Sequence, residues 1–192
     1  MKPSKLNESE NAVEKLVAQM NDHVRIGRRT IFLDNEIDIT TTSFLQQRIS
    51  LIVDISGDDK SAITIELSSY GGDAFALFPI VYLIQSALMK INIHGSGAIM
   101  SAAAVVLACG TGVRSMSSNS IMMLHPFSST SDGNNEEVKK QVKHTDSLND
   151  RVIDLISKAS NKSTAFWKEM IKSEVYLTAE ISKQLGLIDI IK

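Results

Sequence analysis

The chain has 192 residues, of which 43% are hydrophobic, so it is long and apolar enough to form one domain with a continuous core. Its 20 basic and 22 acidic residues give a formal net charge of -2 without a block of like charge, which argues against a nucleic-acid groove or an anionic membrane surface as partner. The single cysteine excludes a disulfide framework and shows no metal-ligand spacing.

The N-terminal 28 residues form a segment of their own in the sequence pattern. They contain no apolar run of signal-peptide type, and later apolar runs are interrupted by Pro79, Gln85 or glycines before they reach the roughly 20 residues of a membrane span. We therefore expect a cytoplasmic protein with no membrane partner. Helical spacing of apolar residues predicts one amphipathic helix, carried by Val13, Leu16, Val17, Met20 and Val24.

Strand-like and helix-like segments alternate through the next hundred residues. Strands are predicted at Thr30–Asp38, Ser61–Leu67, Ile91–Ser96 and Ser120–His125. Helices are predicted after Thr40–Thr42, from about Phe78 to Met89 with Pro79 in the first turn, and after Ser101. This alternation is typical of βαβ units whose helices cover a parallel sheet, so the sequence predicts an α/β fold.

The C-terminal third has a different character. A long helix from Asn135 to about Lys158 carries charged residues and only a thin apolar stripe, which predicts a helix that projects from the core. A short helix is expected behind Ser163 or Thr164, and another between a Thr178 cap and a Gly186 stop, before a terminal strand in "LIDII".

Three groups suited to acyl-transfer chemistry follow successive predicted strands. Gly71-Gly72 can bring bare backbone N–H groups close to a ligand, Ser101 stands at a helix start, and His125 closes the strand "SIMMLH". A hydroxyl, a base and N–H donors aimed at an oxyanion are what a serine hydrolase needs. Because the carboxyl ends of parallel strands meet at one sheet edge, we expect the three groups to lie together.

Each group also has an ordinary structural explanation. Serine is a favoured helix cap, so the stretch of sequence around Ser101 is consistent with either a cap or a nucleophile. Gly71-Gly72 is also consistent with a plain turn, and His125 with a hydrogen-bonded histidine at a strand end. His94 has no matching partner in the sequence, and we interpret it as structural.

Four motifs in fixed order resemble the proteolytic subunit of the Clp protease. They are "SSYGGD", "GAIMSAAAVVLACGTGVR", "NSIMMLHP" and "YLTAEISKQLGLID", and the resemblance extends from about Arg29 to Ile191. It implies the ClpP/crotonase-like spiral of ββα units, with residues 29–192 as a single peptidase domain. The projecting helix, at about residues 135–158, would follow the core of that domain.

The resemblance assigns roles to individual residues. Ser101 would be the nucleophile, His125 its general base, and the N–H groups of Gly72 and Ala102 the oxyanion hole. The family spacing back from His125 selects Met100 instead, and a one-residue deletion in the "GTGVR" turn reconciles this with Ser101.

Glu174 stands where the family has the aspartate of its catalytic triad. Glutamate can orient and stabilise a catalytic histidine as aspartate does, because unrelated hydrolases use either acid. From the residues alone, Glu174 is also consistent with a solvated charge before a helix. The catalytic and the solvated interpretation both remain open.

The resemblance also implies the reaction and the partners. It implies a serine endopeptidase that cleaves unfolded polypeptides through an acyl-enzyme, in a seven-membered homo-oligomeric ring or a stacked double ring. No metal and no cofactor are expected, and ATP would be used only by a partner AAA+ unfoldase. Viral capsid-maturation proteases share the fold, which leaves a phage origin open.

Several positions depart from the family pattern. Tyr70 replaces a proline before the Gly-Gly turn, and Pro126-Phe127 replaces Gln-Pro after the histidine, so the peptide-binding edge differs and the cleavage preference stays open. Lys172-Ser173 replaces an acidic-Arg pair that couples ring assembly to activity. Two alternatives therefore remain: a structural ring subunit whose triad has decayed, and a crotonase-type enzyme acting on acyl-thioesters.

Overall fold

The computed structural model describes residues 20–22, 24–127 and 134–192. The predicted N-terminal helix falls largely outside these residues, but its described part, 20–22 and 24–27, is helical. Within the described ranges, no helix combines the length and the apolar character that crossing a bilayer requires.

A seven-stranded sheet forms the centre of the fold, and helices cover it. The strands are β1 (Thr30–Leu33), β2 (Ile63–Ser69), β3 (Ile91–Met100), β4 (Arg114–Met116), β5 (Ile121–Leu124), β6 (Val175–Thr178) and β7 (Ile190–Ile191). The helices are α1 (Ile39–Ser56), α2 (Ala74–Ser86), α3 (Ala102–Ala108), α4 (Asn135–Ala159), α5 (Thr164–Met170) and α6 (Ala179–Gln184).

The sheet is almost entirely parallel. Its main path runs β1-β2-β3-β4-β7, while β5 pairs with β3 and β6, and only the β5–β6 pair is antiparallel. Parallel neighbours joined through helices confirm the predicted α/β class.

The core lies between the sheet and α3. Residues of β2 alternate between buried and half-buried, as expected for a strand with one face on the core. All seven residues of α3 are buried, because its alanines, valines and leucine pack against β2, β3, α2 and α4. The helix that follows Ser101 is therefore fixed on all sides by the core.

Strand β3 divides the sheet into two branches. Its first half pairs with β4 through Ile93–Gly95, and its second half pairs with β5 through Ala98–Met100. The β2–β3 register shifts between Leu67 and Ser69, opposite the glycines of β3. At this point Gly97 takes φ 67° and donates its N–H to the buried Ser120 hydroxyl over 2.9 Å. The bend sends the end of β3 toward β5.

The predicted start of helix α2 differs from the structure. Helix α2 begins at Ala74 and not near Phe78, because the Asp73 side chain accepts the Phe75 N–H over 2.8 Å and caps the helix. Pro79 therefore lies inside the helix and beyond the first turn, where it removes one helical hydrogen bond. The expectation that Pro79 belongs to the first turn was wrong.

The long helix α4 has two different halves. Asn134 caps it with a capping box, in which its side chain accepts from Glu137 N–H and Glu137 reaches back to the Asn134 N–H. Most residues up to Ser147 are exposed, whereas Leu148 and Ile156 are buried in the second half. The observed helix, with its exposed first half, agrees with the predicted projecting helix.

Candidate active site

Ser101 lies at a sharp turn between β3 and α3. Its backbone has φ 55° and ψ -123°, a left-handed conformation that costs energy for a residue with a side chain. The Ser101 N–H donates to the Met123 carbonyl over 2.8 Å, which ties the turn to β5. Although Ser101 occupies the N-cap position of α3, its side chain makes no capping hydrogen bond. The hydroxyl points elsewhere.

The Ser101 hydroxyl meets His125, which directly follows β5. Ser101 Oγ lies 2.8 Å from His125 Nε2, and the two residues come together because β3 and β5 are parallel neighbours in the sheet. His125 Nδ1 lies 2.7 Å from the Pro126 carbonyl oxygen. A carbonyl only accepts, so Nδ1 carries the proton and Nε2 is left to accept from the serine. This is the tautomer a general base needs.

The Gly71-Gly72 turn packs against the Ser101 turn. Gly71 has φ 96°, and a Cβ there would lie 2.7 Å from both the Ser101 Cβ and the Met100 carbonyl oxygen. Gly72 has φ 149°, and a Cβ there would lie 2.3 Å from the Ile37 carbonyl oxygen. The backbone is fixed by hydrogen bonds from Ile37 N–H to Gly71 O and from Asp73 N–H to Ile37 O. Only glycine fits both positions.

The predicted oxyanion donors line the same cavity as the Ser101–His125 pair. Gly72 and Ala102 both face it, and Ala102 is the first residue of α3, whose N–H has no partner within the helix. A Cβ on Gly71 would lie 3.0 Å from the Ala102 nitrogen, which shows how closely the glycine turn approaches this helix start. The structure thus brings together four of the five predicted site residues.

The cavity beside Ser101 has a volume of about 120 Å³. Apart from the four residues above, the walls that the described residues form are apolar: Leu77, Val105, Leu124, Phe127, Val152, Ile156 and Ile171. A larger open cleft of about 860 Å³ lies between β1 and α1, but its described lining holds neither serine nor histidine. The chemistry of the chain is therefore expected at the smaller cavity.

Glu174 directly precedes β6, and His125 directly follows β5. The antiparallel β5–β6 register ends with the Leu124–Val175 pair, so the two residues are the next ones beyond the paired strands. The Glu174 side chain is turned to Tyr176, whose hydroxyl donates to Oε2 over 3.1 Å. Accepting that bond is the main way in which the carboxylate raises the pKa of Tyr176. No hydrogen bond joins Glu174 to His125 in the described part of the chain.

Two other reactive groups belong to the structural framework. His94 is hydrogen-bonded through Nδ1 to Ser115 over 2.9 Å and through Nε2 to Ser117 over 3.1 Å, and burial lowers its pKa. Cys109 is buried at the end of α3, and burial raises the pKa of its thiol to about 12. Neither group is available for chemistry in this arrangement.

Sequence reasoning missed two contacts at the site. One is the Pro126 carbonyl on His125 Nδ1, and the other is the side chain of Asn149 on α4, which accepts the Phe127 N–H over 2.7 Å. The departure at Pro126-Phe127 was visible in the sequence, but no pattern linked it to Asn149.

Comparison with known proteins identifies the family to which the chain belongs. The model of the Clp protease family matches residues 12–192. The chain is 27% identical over 176 residues to the ATP-dependent Clp protease proteolytic subunit 1 of Thermobifida fusca, covering 90% of this chain and 78% of that protein. It is 29% identical over 164 residues to the ATP-dependent Clp protease proteolytic subunit of Bacteroides fragilis, covering 84% and 77%.

A solved structure shares the fold. A ClpP1 mutant from Listeria monocytogenes superposes with a TM-score of 0.79 at 20% identity, covering 88% of this chain and 94% of that one. This likeness confirms the predicted ClpP-type fold, and the family match confirms the resemblance read from the four motifs. The chain belongs to the Clp protease family.

Proposed function

We propose that this Clp-type peptidase is a serine endopeptidase with Ser101 as nucleophile and His125 as general base. The observation that carries the proposal is the 2.8 Å contact between Ser101 Oγ and His125 Nε2. It occurs at a strained strand-to-helix turn that exposes the hydroxyl, a device used by other hydrolases to present a serine. A serine held in this conformation without a capping bond has no evident structural use.

The geometry supports a double displacement. His125 Nε2 takes the Ser101 proton as Oγ attacks the scissile carbonyl carbon, and the negative charge moves to the carbonyl oxygen. The N–H groups of Gly72 and Ala102 stabilise that oxyanion. His125 then gives the proton to the leaving amine as the peptide C–N bond breaks. In the second half, a water loses a proton to the same nitrogen and attacks the acyl carbon, the bond from that carbon to Ser101 Oγ breaks, and His125 returns the proton to Oγ.

Glu174 completes the proposed set as the charged partner of His125. Glu174 and His125 are the next residues beyond the Leu124–Val175 pair, and facing residues of neighbouring antiparallel strands have Cβ atoms about 5 Å apart, a distance that a glutamate side chain can span. In the structure the Pro126 carbonyl occupies His125 Nδ1, so the orientation of the ring does not depend on Glu174. The carboxylate would stabilise the imidazolium by its charge.

The proposed substrate is an unfolded polypeptide that places an apolar side chain in the cavity next to Ser101. A volume of about 120 Å³ with apolar walls suits a medium-sized aliphatic side chain and disfavours a charged one. The relatives are named as proteolytic subunits of ATP-dependent proteases. By analogy this chain would form a heptameric ring, single or double, and receive substrates from an AAA+ unfoldase that uses the ATP. The proposal includes a cytoplasmic location, and it requires no cofactor other than the ATP that the unfoldase uses.

A second candidate is a ring subunit without catalysis. The observation that favours it is the position of Glu174, which contacts Tyr176 and not His125. Family membership gives no support to an acyl-thioester enzyme.

The deciding experiment treats the intact protein with a fluorophosphonate probe and maps the adduct by mass spectrometry. We expect the adduct on Ser101, and peptide hydrolysis should fall by several orders of magnitude in Ser101→Ala and His125→Ala. Absence of an adduct together with absence of hydrolysis would favour the structural subunit. An adduct on another serine would refute the assignment.

A further inference from the structure

One peptide group joins His125 to the projecting helix. The carbonyl of the Pro126–Phe127 peptide accepts from His125 Nδ1 over 2.7 Å, and the N–H of the same peptide donates to Asn149 Oδ1 over 2.7 Å. With the 2.8 Å contact from His125 Nε2 to Ser101 Oγ, three hydrogen bonds lead from α4 to the hydroxyl. The C=O and the N–H of this one peptide group are thus held on opposite edges, by the side chains of His125 and Asn149.

The chemistry of each group fixes the direction of every bond. The Phe127 N–H can only donate, so the Asn149 atom that faces it is the amide oxygen and not the amide nitrogen. Pro126 has no N–H of its own, so this N–H is the first backbone donor after His125. Hydrogen bonds on both sides of one peptide group strengthen each other by polarisation.

Asn149 sits where α4 becomes part of the core. It follows Leu148, the first buried residue of the helix, and is itself half-buried. Positions 149, 152 and 156 fall on one helical face, and Val152 and Ile156 line the cavity beside Ser101. The amide oxygen is therefore presented by a packed helix turn, which restricts the orientation of the peptide it binds.

We propose that Asn149 is a positioning residue for the reaction. By holding the Pro126–Phe127 peptide, it keeps the Pro126 carbonyl on His125 Nδ1 and so keeps Nε2 free to accept the Ser101 proton. The inference rests on the proposed function and deepens it, since it explains how the histidine is oriented while Glu174 is engaged with Tyr176. It also makes the second half of α4 a part of the active-site support.

The test compares Asn149→Leu with Asn149→Asp in the full-length protein. Leucine has a similar size but no acceptor, so the peptide is released and part of the His125 population loses the productive tautomer. We expect kcat and the rate of fluorophosphonate labelling at Ser101 to fall about 10- to 100-fold, with KM changed less than threefold. Asn149→Asp keeps an oxygen at the same place and should retain kcat within about threefold.

The matched control is Ser147→Leu, the same kind of change at an exposed position on the same helix turn. It should leave both rates unchanged. A purely structural role for Asn149 predicts a lower melting temperature with kcat preserved in the folded fraction, and that result would overturn the proposal. So would equal losses in the leucine and aspartate variants.

A second measurement keeps the proposal testable if Asn149→Leu does not fold. Nitrogen NMR of protein carrying isotope-labelled histidine, with His125 assigned through His125→Gln, reports which ring nitrogen holds the proton. We expect the proton on Nδ1 in the unsubstituted protein and in Asn149→Asp; a proton on Nε2 would overturn the inference. If the probe labels Ser101 and the rates in Asn149→Leu are unchanged, this inference alone is rejected. If the probe labels Ser101 in no variant, the proposed function is rejected.

Discussion

In the proposed mechanism, the two tasks of a catalytic acid at His125 are divided between two groups. In other serine proteases, the buried carboxylate both fixes the histidine tautomer and stabilises the imidazolium, and changing it to the amide costs about 10⁴-fold because the tautomer is lost. Here the Pro126 carbonyl, which accepts from His125 Nδ1, would fix the tautomer, and Glu174, next to the end of the β5–β6 pairing, would supply the charge. The amide variant at Glu174 should therefore keep the productive tautomer.

Glu174→Gln is expected to lower kcat/KM by about 10- to 100-fold, because only the charge stabilisation of the imidazolium is removed. Each tenfold loss corresponds to about 1.4 kcal/mol of transition-state stabilisation. Peptide hydrolysis under single-substrate conditions measures the change. The companion variant Tyr176→Phe frees the carboxylate from its 3.1 Å hydrogen bond and should raise the rate severalfold. Unchanged turnover in both variants would show that the enzyme works with Ser101 and His125 alone.

Gly71 sets how closely the Gly71-Gly72 turn, which carries a proposed oxyanion donor, packs against Ser101. Gly71→Ala would place a methyl group 2.7 Å from the Ser101 Cβ and adopt an unfavourable φ of 96°, so the turn must move away from the nucleophile. We expect kcat to fall at least about 100-fold, because displacements near 1 Å at a reacting centre have effects of this size.

Gly57→Ala is the control for backbone conformation. Gly57 has φ 54° but no atom within 4 Å of an added Cβ, so this variant carries the conformational cost without the steric one. It should be destabilised by about 1 kcal/mol with kcat intact. Equal loss of activity in both variants would mean that backbone strain, and not contact with Ser101, explains the result at Gly71.

Among the elements, Arg114 ties the ends of two helices to the C-terminal segment. Its guanidinium donates to both Asp189 carboxylate oxygens, at 3.2 Å from Nε and 2.6 Å from Nη2, and to the carbonyls of Ala108 and Ala159. Ala108 ends α3 and Ala159 ends α4, so the cation satisfies carbonyls that have no helical partner. The ion pair between Arg114 and Asp189 therefore joins the "GTGVR" segment to the "GLID" segment.

The ion pair between Arg114 and Asp189 makes a pH-dependent contribution to the stability of the fold. The hydrogen bond from Arg114 is the main cause that lowers the pKa of Asp189 from its ordinary 3.8. Stabilisation is therefore present above pH 4 and is lost as pH falls through the lowered value. Asp189→Asn should lose about 1 kcal/mol at pH 7, a modest figure because the carboxylate is 42% exposed, and should lack this acid-dependent loss.

Urea unfolding at pH 7 and near pH 3, at one fixed protein concentration, measures both effects. Asp154→Asn is the control, since its ion pair with Lys158 lies on the surface, with both side chains more than half exposed. Its unfolding free energy should hardly change. A pH dependence equal in Asp189→Asn and the unsubstituted protein would contradict the assignment.

Some elements were predictable from sequence and others were not. Long periodic elements such as α4, and the strand-to-helix turn at Ser101, follow from local patterns. Strand β6 was missed because four residues next to a helix cap carry no periodic signal, and its pairing with β5 depends on tertiary contacts. Helix α2 starts early because Asp73 caps it. The sequence pattern predicted a later start because Pro79 was assigned to the first turn. The Asn149 contact joins residues 22 positions apart through a backbone group, and no side-chain pattern records such a bond.

On the scale of the whole molecule, the described part of the chain leaves several large apolar side chains uncovered. Large apolar side chains are widely exposed at several places, among them Tyr70 at 79%, Tyr82 at 70%, Leu88 at 79% and Phe75 at 62%. The exposed half of α4 adds Val142 at 49%. In the proposed ring, we expect other copies of the chain to cover these side chains, and we expect the exposed half of α4 to join one ring to another.

We therefore expect the protein in solution to have a mass close to seven or fourteen times the 21.0 kDa of one chain. Multi-angle light scattering measures this directly, and a monodisperse monomer at micromolar concentration would refute ring assembly. If the full assembly contains two rings joined through α4, Val142→Asp should halve the mass, because the new carboxylate must be desolvated in that contact. Lys140→Asp introduces the same acid two residues away, on a different side of the helix, and should leave the mass unchanged. Halving by both variants would indicate a general charge effect on α4, and no change with either would place the contact elsewhere. A mass of seven chains in the unsubstituted protein would instead implicate Lys172-Ser173, where the resemblance to the family implies an acidic-Arg pair that couples ring assembly to activity.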